Sequence, residues 1–159
     1  QDAFYGCDQL TNVTMEDGVE TIGQGAFFAC SALTQITIPD SVISIGPYAF
    51  HRCSALTSVD IPKSVQTIGQ DAFAGCTKLD SVTIADGVKT IERGVFYDCP
   101  TLTSITIPKS VTSIGSYVFD GSGVTTVNYP GSQTEWNQIT IGSPNDKLNG
   151  AAKNFNVSP

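Results

Sequence analysis

AFFACSALTQITIP (residues 26–39), AFHRCSALTSVDIP (49–62) and AFAGCTKLDSVTIA (72–85) are three copies of one pattern, each set 23 residues after the last. The period extends in both directions. Phe4, Phe27, Phe50, Phe73, Phe96 and Phe119 keep the same spacing, with Cys7, Cys30, Cys53, Cys76 and Cys99 three residues behind them. Leu33, Leu56, Leu79 and Leu102 form the next apolar column. Ile36, Val59, Val82 and Ile105 follow, then Ile38, Ile61, Ile84 and Ile107. Val42, Val65, Val88 and Val111, with Ile45, Ile68, Ile91 and Ile114, complete the unit. A fixed period of this length is the signature of stacked supersecondary units.

Within a unit, LTQITI ends in the two-residue alternation of a strand, which predicts a main strand over 33–38 and its equivalents. Pro39, Pro62 and Pro108 end it, since proline cannot donate to a ladder. Turn residues follow, and a second short extended piece such as VISIG leads into the next bend. No stretch shows the 3.6-residue period of a helix. One unit is too small to bury its apolar face, so the units must stack around a shared core. QDAF recurs at 1–4 and 70–73, so the chain starts inside a repeat, as a segment of a longer protein would.

The L-x-x-I-x-I core with its upstream cysteine, in the frame IPxSVxxIGxxAFxxCxxLTSITIP, resembles the BspA-type (Treponema-type) bacterial leucine-rich repeat. The resemblance implies a leucine-rich repeat solenoid, of the right-handed β/α superhelix class. It would be built mostly of parallel strands and tight bends, with little helix. It divides the chain into an array at 1–130 (a partial repeat at 1–18, then about five units) and a C-terminal capping segment at 131–159. It also implies a non-enzymatic interaction or adhesion module of a secreted or cell-surface protein. Its partner would be a host or bacterial surface protein or glycan. The alternatives are a structural spacer holding another domain away from the surface, or a non-catalytic appendage of a surface hydrolase. The departures are local: Glu92 stands where other units have glycine, and one residue is missing after Ser122, so Val124, Val127 and Tyr129 arrive early.

The net charge of −7 and the scattered basic residues argue against nucleic acid, which needs a basic patch. No apolar run approaches the roughly 20 residues of a membrane span. The five cysteines, odd in number and never paired as C-x-x-C, read as small buried hydrophobes in a reduced ladder rather than as disulfides or metal ligands. No metal and no cofactor is expected. His51, the only histidine, sits at a variable bend position and reads as solvent-facing. Asp17, Asp40, Lys63, Asp86 and Lys109 form a turn column of mostly alternating charge whose neighbours are expected to attract.

Two surfaces are candidates for binding. One is the outer, concave face of the main strand: Gln35, Ser58, Ser81 and Ser104 in one column, Thr37, Asp60, Thr83 and Thr106 in the other. It is polar and lacks the aromatic anchors of interface hot spots. The other is the bend, where Tyr48, His51, Arg52, Arg93, Tyr97 and Tyr117 give a richer interface composition. After Pro130 the columns stop. Ser132 and Glu135 form a capping box for a short helix, Trp136 is placed as a lid over the last repeat, and ITI at 139–141 reads as a final strand. The amino-terminal edge has no such cap, which makes it a site for fraying or self-contact.

Overall fold

The computed structural model describes residues 1–158; Pro159, the last residue of the expected cap, lies outside them. The chain winds as a parallel β-solenoid of 23-residue turns. Each turn supplies one strand to each of two columns. The first column holds β1 (Asn12–Thr14), β3 (Gln35–Thr37), β5 (Ser58–Ile61), β7 (Ser81–Ile84), β9 (Ser104–Thr106), β11 (Thr126–Tyr129) and β13 (Ala152–Phe155). The second holds β2 (Thr21–Ile22), β4 (Ser44–Ile45), β6 (Thr67–Ile68), β8 (Thr90–Ile91), β10 (Ser113–Ile114) and β12 (Thr140–Ile141). The only helices among the described residues are α1 (Gln133–Trp136) and α2 (Asp146–Gly150), both in the tail.

The main strands are shorter than the sequence suggests, since Leu33 and its equivalents precede them. They also do not form one sheet. β1 pairs with β3, β5 with β7, and β11 with both β9 and β13, whereas the two-residue strands of the second column make one continuous six-stranded ladder. Proline chemistry contributes. Ala85 stands where other units carry proline; its N–H donates to the Ile61 carbonyl at 3.0 Å, and the β5–β7 pairing runs to four residues. Pro62 and Pro108 have no such donor, and the ladder is broken between β3 and β5 and between β7 and β9. Pro39 removes the same donor from the β1–β3 pair, which stops at three residues. The deletion after Ser122 is absorbed by a shift of pairing: Val127 aligns with Ile105, 22 residues back, and the strand stays in its ladder.

The core is a set of columns. Phe50, Phe73, Phe96 and Phe119 are fully buried, and successive rings from Phe4 to Phe119 stack with centroids 5.1 to 5.8 Å apart. Each buried phenylalanine contributes about 1.5–3 kcal/mol by leaving water. Four cysteines form a thiol ladder. Cys30, Cys53, Cys76 and Cys99 each donate Sγ–H to the phenylalanine carbonyl 26 residues back, at 3.1 to 3.3 Å. Burial pushes the Cys53 and Cys99 thiols up to about 12, and Cys76 well above its usual value. Cys7 departs from the expectation that all five are buried. It is exposed, and among the described residues no carbonyl accepts from its thiol. Phe4 and Tyr5 are exposed at the same edge.

At the other end the tail does more than cover the last repeat. β12 extends the second-column ladder and β13 extends the first, so residues 131–155 make a further turn of the solenoid. Ser132 and Glu135 form a full capping box at α1, and Trp136 packs edge-on against Tyr129 and Phe155 at 5.3 and 6.5 Å. Buried Asn145 completes the bend. Its Oδ1 accepts from Val118 N–H at 2.9 Å, and its Nδ2 donates to the Gly115 and Gly142 carbonyls at 2.6 Å. The expected attraction along the turn column does not form. Lys109 reaches instead to Glu135 at 2.8 Å, the one ion pair among the described residues. That lysine, with the Ser132 groups, holds the Glu135 carboxyl down at about 2. The turns are tied by serine: Ser110 N–H donates to Asp86 and Gly87 N–H donates to Ser110 Oγ, both at 2.9 Å.

Candidate functional site

Each bend is built on two backbone positions with φ between +53° and +73°, four residues apart: Asp2, Gly25, Tyr48, Asp71, Gly94 and Tyr117 in one column, and Gly6, Ala29, Arg52, Gly75, Asp98 and Gly121 in the other. Non-glycine residues resist this left-handed conformation by about 1–2 kcal/mol each. They are held there because alternate bend N–H groups donate to the next turn, as Tyr48 N–H does to the Gln70 carbonyl and Arg52 N–H to the Ala74 carbonyl, both at 2.8 Å. The bends therefore stack in register, and side chains one turn apart face each other.

The result is an aromatic column on the bend surface. Tyr5, Phe28 and His51 stack ring on ring at 4.7 and 4.9 Å. Tyr48 meets His51 edge-on at 5.8 Å, and its hydroxyl accepts from Gln70 Nε2 at 3.0 Å. His51 is thus half-buried rather than solvent-facing, because its neighbours in the stack cover it. Its Nδ1 is buried without a hydrogen-bond partner. Burial pulls the imidazole below its ordinary value and Arg52 adds to the effect, against an opposing pull from the nearby Asp71 backbone and carboxylate.

Beyond His51 the bend surface opens into a depression of about 660 Å³, lined in part by His51, Ala74, Arg93, Tyr97 and Tyr117. The Arg93 guanidinium lies over the Tyr117 ring, 5.2 Å from its centroid, where cation–π attraction fixes it. Tyr97 is exposed. Asp71, Asp120, Asp146 and Lys147 add charge of both signs, and Asp120 Oδ1 is buried with no donor. The structure thus brings four of the six predicted bend residues together. Tyr48 lines a smaller neighbouring depression of about 230 Å³ with Tyr5 and Phe28. Arg52 lines neither; its stem lies over Gly75. Asp71 and Asp120 were findable, since they share columns with the bend residues. Asp146 and Lys147 belong to the aperiodic tail and carried no signal.

The main-strand face is different. Gln35, Thr37, Ser58, Asp60, Ser81, Thr83 and Ser104 are exposed and Thr106 is half-buried, with no aromatic side chain among them. Where the ladder breaks between β7 and β9, a more apolar groove of about 540 Å³ opens beside Val82, Ile84, Pro108 and Val157. No cluster of three or more His, Cys, Asp or Glu side chains among the described residues is arranged to hold a metal ion. No helix among the described residues is long and apolar enough to cross a membrane.

Residues 1–126 match the profile of the BspA type leucine rich repeat region in six copies. No curated protein sequence matches the chain. Among solved structures, the leucine-rich repeat protein of T. pallidum is 30% identical with a TM-score of 0.73, over 95% of this chain and 78% of that one. A leucine-rich repeat protein from Bacteroides ovatus is 26% identical with a TM-score of 0.68, over 96% of this chain. The chain spans 51% of that protein's length. The pneumococcal vaccine antigen PcpA, at 22% identity and a TM-score of 0.55 over 76% of this chain and 43% of its own, shares the fold.

Proposed function

Since this chain belongs to the BspA-type leucine-rich repeat family, we propose that it is a non-enzymatic interaction module that grips its partner with the bend face. It would act in adhesion, within a secreted or cell-surface bacterial protein, on a host or bacterial surface protein or glycan. The observation that carries this reading is the depression holding His51, Arg93, Tyr97 and Tyr117. It joins exposed aromatic surface, an arginine fixed by cation–π contact and a buried carboxylate oxygen in need of a donor. Tyrosine and arginine are the residues interfaces use as anchors. The chemistry points away from a cysteine nucleophile: the buried thiols are donors held in the protonated state.

The polar main-strand face favours the second reading, a spacer that binds nothing. The test is a screen of the chain against purified extracellular-matrix and bacterial surface proteins and a glycan array, beside the variant Arg93→Ala/Tyr97→Ala/Tyr117→Ala. A module binds and the variant loses at least tenfold in affinity. A spacer binds nothing in either form.

A further inference from the structure

The residues that line the smaller bend depression each have a counterpart 69 residues on that lines the larger one. Asp2, Gly25 and Tyr48 recur unchanged as Asp71, Gly94 and Tyr117. In both sets the aspartate carboxylate occupies the space a Cβ on the glycine would take. One frame is thus made twice, with different chemistry and size. Gln24 gives way to Arg93, and Phe28 to Tyr97. The tail adds Asp146 and Lys147 to the second copy alone. Small-ligand sites run to about 300–1,000 Å³. The first copy, at about 230 Å³, falls below that range, and the second, at about 660 Å³, falls within it.

The rings differ as well. Phe28 stacks between Tyr5 and His51. The residues 69 positions on from those two rings are Ala74 and Asp120, so Tyr97 has no ring neighbour in its column and is 47% exposed. Ala74 is buried and offers a ligand nothing; one turn beyond Tyr97 stands the Asp120 carboxylate. Arg93 is held over Tyr117 by cation–π attraction. Among the described residues no hydrogen bond or ion pair engages the side chains of Arg93, Asp120, Asp146 or Lys147, the single ion pair being Lys109 with Glu135. Two acids and two cations therefore line one depression unpaired, and Asp71 adds a third carboxylate. An anionic ligand meets the acids there, and a cationic one meets Arg93 and Lys147. A neutral polyhydroxyl ligand satisfies both signs, since each hydroxyl donates to a carboxylate and accepts from a guanidinium or ammonium. The C–H face of a pyranose also lies well on a tyrosine, whose ring face is negative. We infer that the larger depression binds a neutral hexopyranose unit of a surface glycan, with Tyr97 as its platform. Asp120 and Asp146 accept from its hydroxyls, and Arg93 and Lys147 donate to its oxygens. This inference rests on the bend-face reading above and names a glycan, not a protein, as what that face recognises.

The test is an NMR titration of the chain with methyl β-D-glucopyranoside, methyl β-D-galactopyranoside and methyl α-D-mannopyranoside. The uronic acid and the 2-amino sugar of each configuration serve as charged counterparts. At least one neutral glycoside should bind saturably, and its two charged counterparts at least tenfold more weakly. Tyr97→Ala, at an exposed position, should weaken that glycoside at least tenfold with the thermal transition unchanged, and Tyr97→Phe should keep it within threefold of wild type. Asp146→Ala/Lys147→Ala, also exposed, should weaken it at least threefold and covers the case in which Tyr97→Ala misfolds. No binding of any of the three neutral glycosides, a charged counterpart bound as tightly, or unchanged binding by either folded variant overturns the sugar site. A glycan-free surface protein whose binding is lost in the Arg93/Tyr97/Tyr117 variant, with no neutral glycoside bound, would leave the bend face standing and remove the sugar site alone.

Discussion

Raising the pH should destabilise this protein through its thiol ladder. Cys53, Cys76 and Cys99 have no exposed surface, and each donates to a carbonyl of the preceding turn. Desolvation pushes Cys53 and Cys99 from 9.0 to about 12 and raises Cys76 in the same direction. An acid with a raised folded-state value keeps its proton longer in the fold than in the unfolded chain. Its contribution is intact below the unfolded value, near 9.0, and is lost as pH climbs towards the folded value. By pH 10 each thiol should cost about 1.4 kcal/mol, one unit beyond the unfolded value, and the three together about 4 kcal/mol. A typical domain has 5–15 kcal/mol in total. Urea unfolding at pH 8 and pH 10 under reducing conditions, on the wild type and on Cys53→Ala/Cys76→Ala/Cys99→Ala, isolates the effect, because lysines and tyrosines titrate in both. The wild type should lose about 4 kcal/mol more than the triple variant over this interval. Equal losses would refute the claim that the buried thiols are the titrating groups.

Other consequences are as direct. Native thiol labelling at pH 8 should modify Cys7 at once and count five thiols only after unfolding, since the other four are buried; two or more fast native thiols would contradict the ladder. Trp136→Ala should destabilise by about 3–5 kcal/mol in chemical unfolding, because the indole seals the last turn against Tyr129 and Phe155; a loss below about 1 kcal/mol would mean the lid is idle. Amides of residues 1–15 should exchange with deuterium faster than those of 56–84 in a monomer, as Phe4 and Cys7 are exposed where their equivalents Phe73 and Cys76 are buried. Gly69→Ala should cost more than an exposed-site change, because its Cβ would lie 2.7 Å from the Gly46–Pro47 backbone.

The period made the fold legible. Seven apolar columns fix which residues face inward, and a stack is the only way such small units bury them, so the parallel solenoid follows from spacing alone. What the columns do not encode is the hydrogen-bond continuity of each strand. Val59 and Val82 read alike, yet the sheet breaks on one side of each, partly because proline or alanine in the next column decides whether a donor exists. Cys7 reads like Cys30, and differs because burial depends on a neighbouring turn rather than on local sequence. The bend residues were visible as a composition. Their convergence was not, because Asp146 and Lys147 come from the aperiodic tail.

The central claim is that the bend, not the main-strand face, is where this protein binds. An amide NMR titration of the labelled chain with the tightest-binding protein or glycan from the binding screen tests it most directly. The account predicts saturable shifts at residues 51, 74, 94 and 97, with the amides of Ser58, Asp60, Ser81, Thr83 and Ser104 unmoved. Shifts confined to those main-strand residues, or none at the bend, would contradict it.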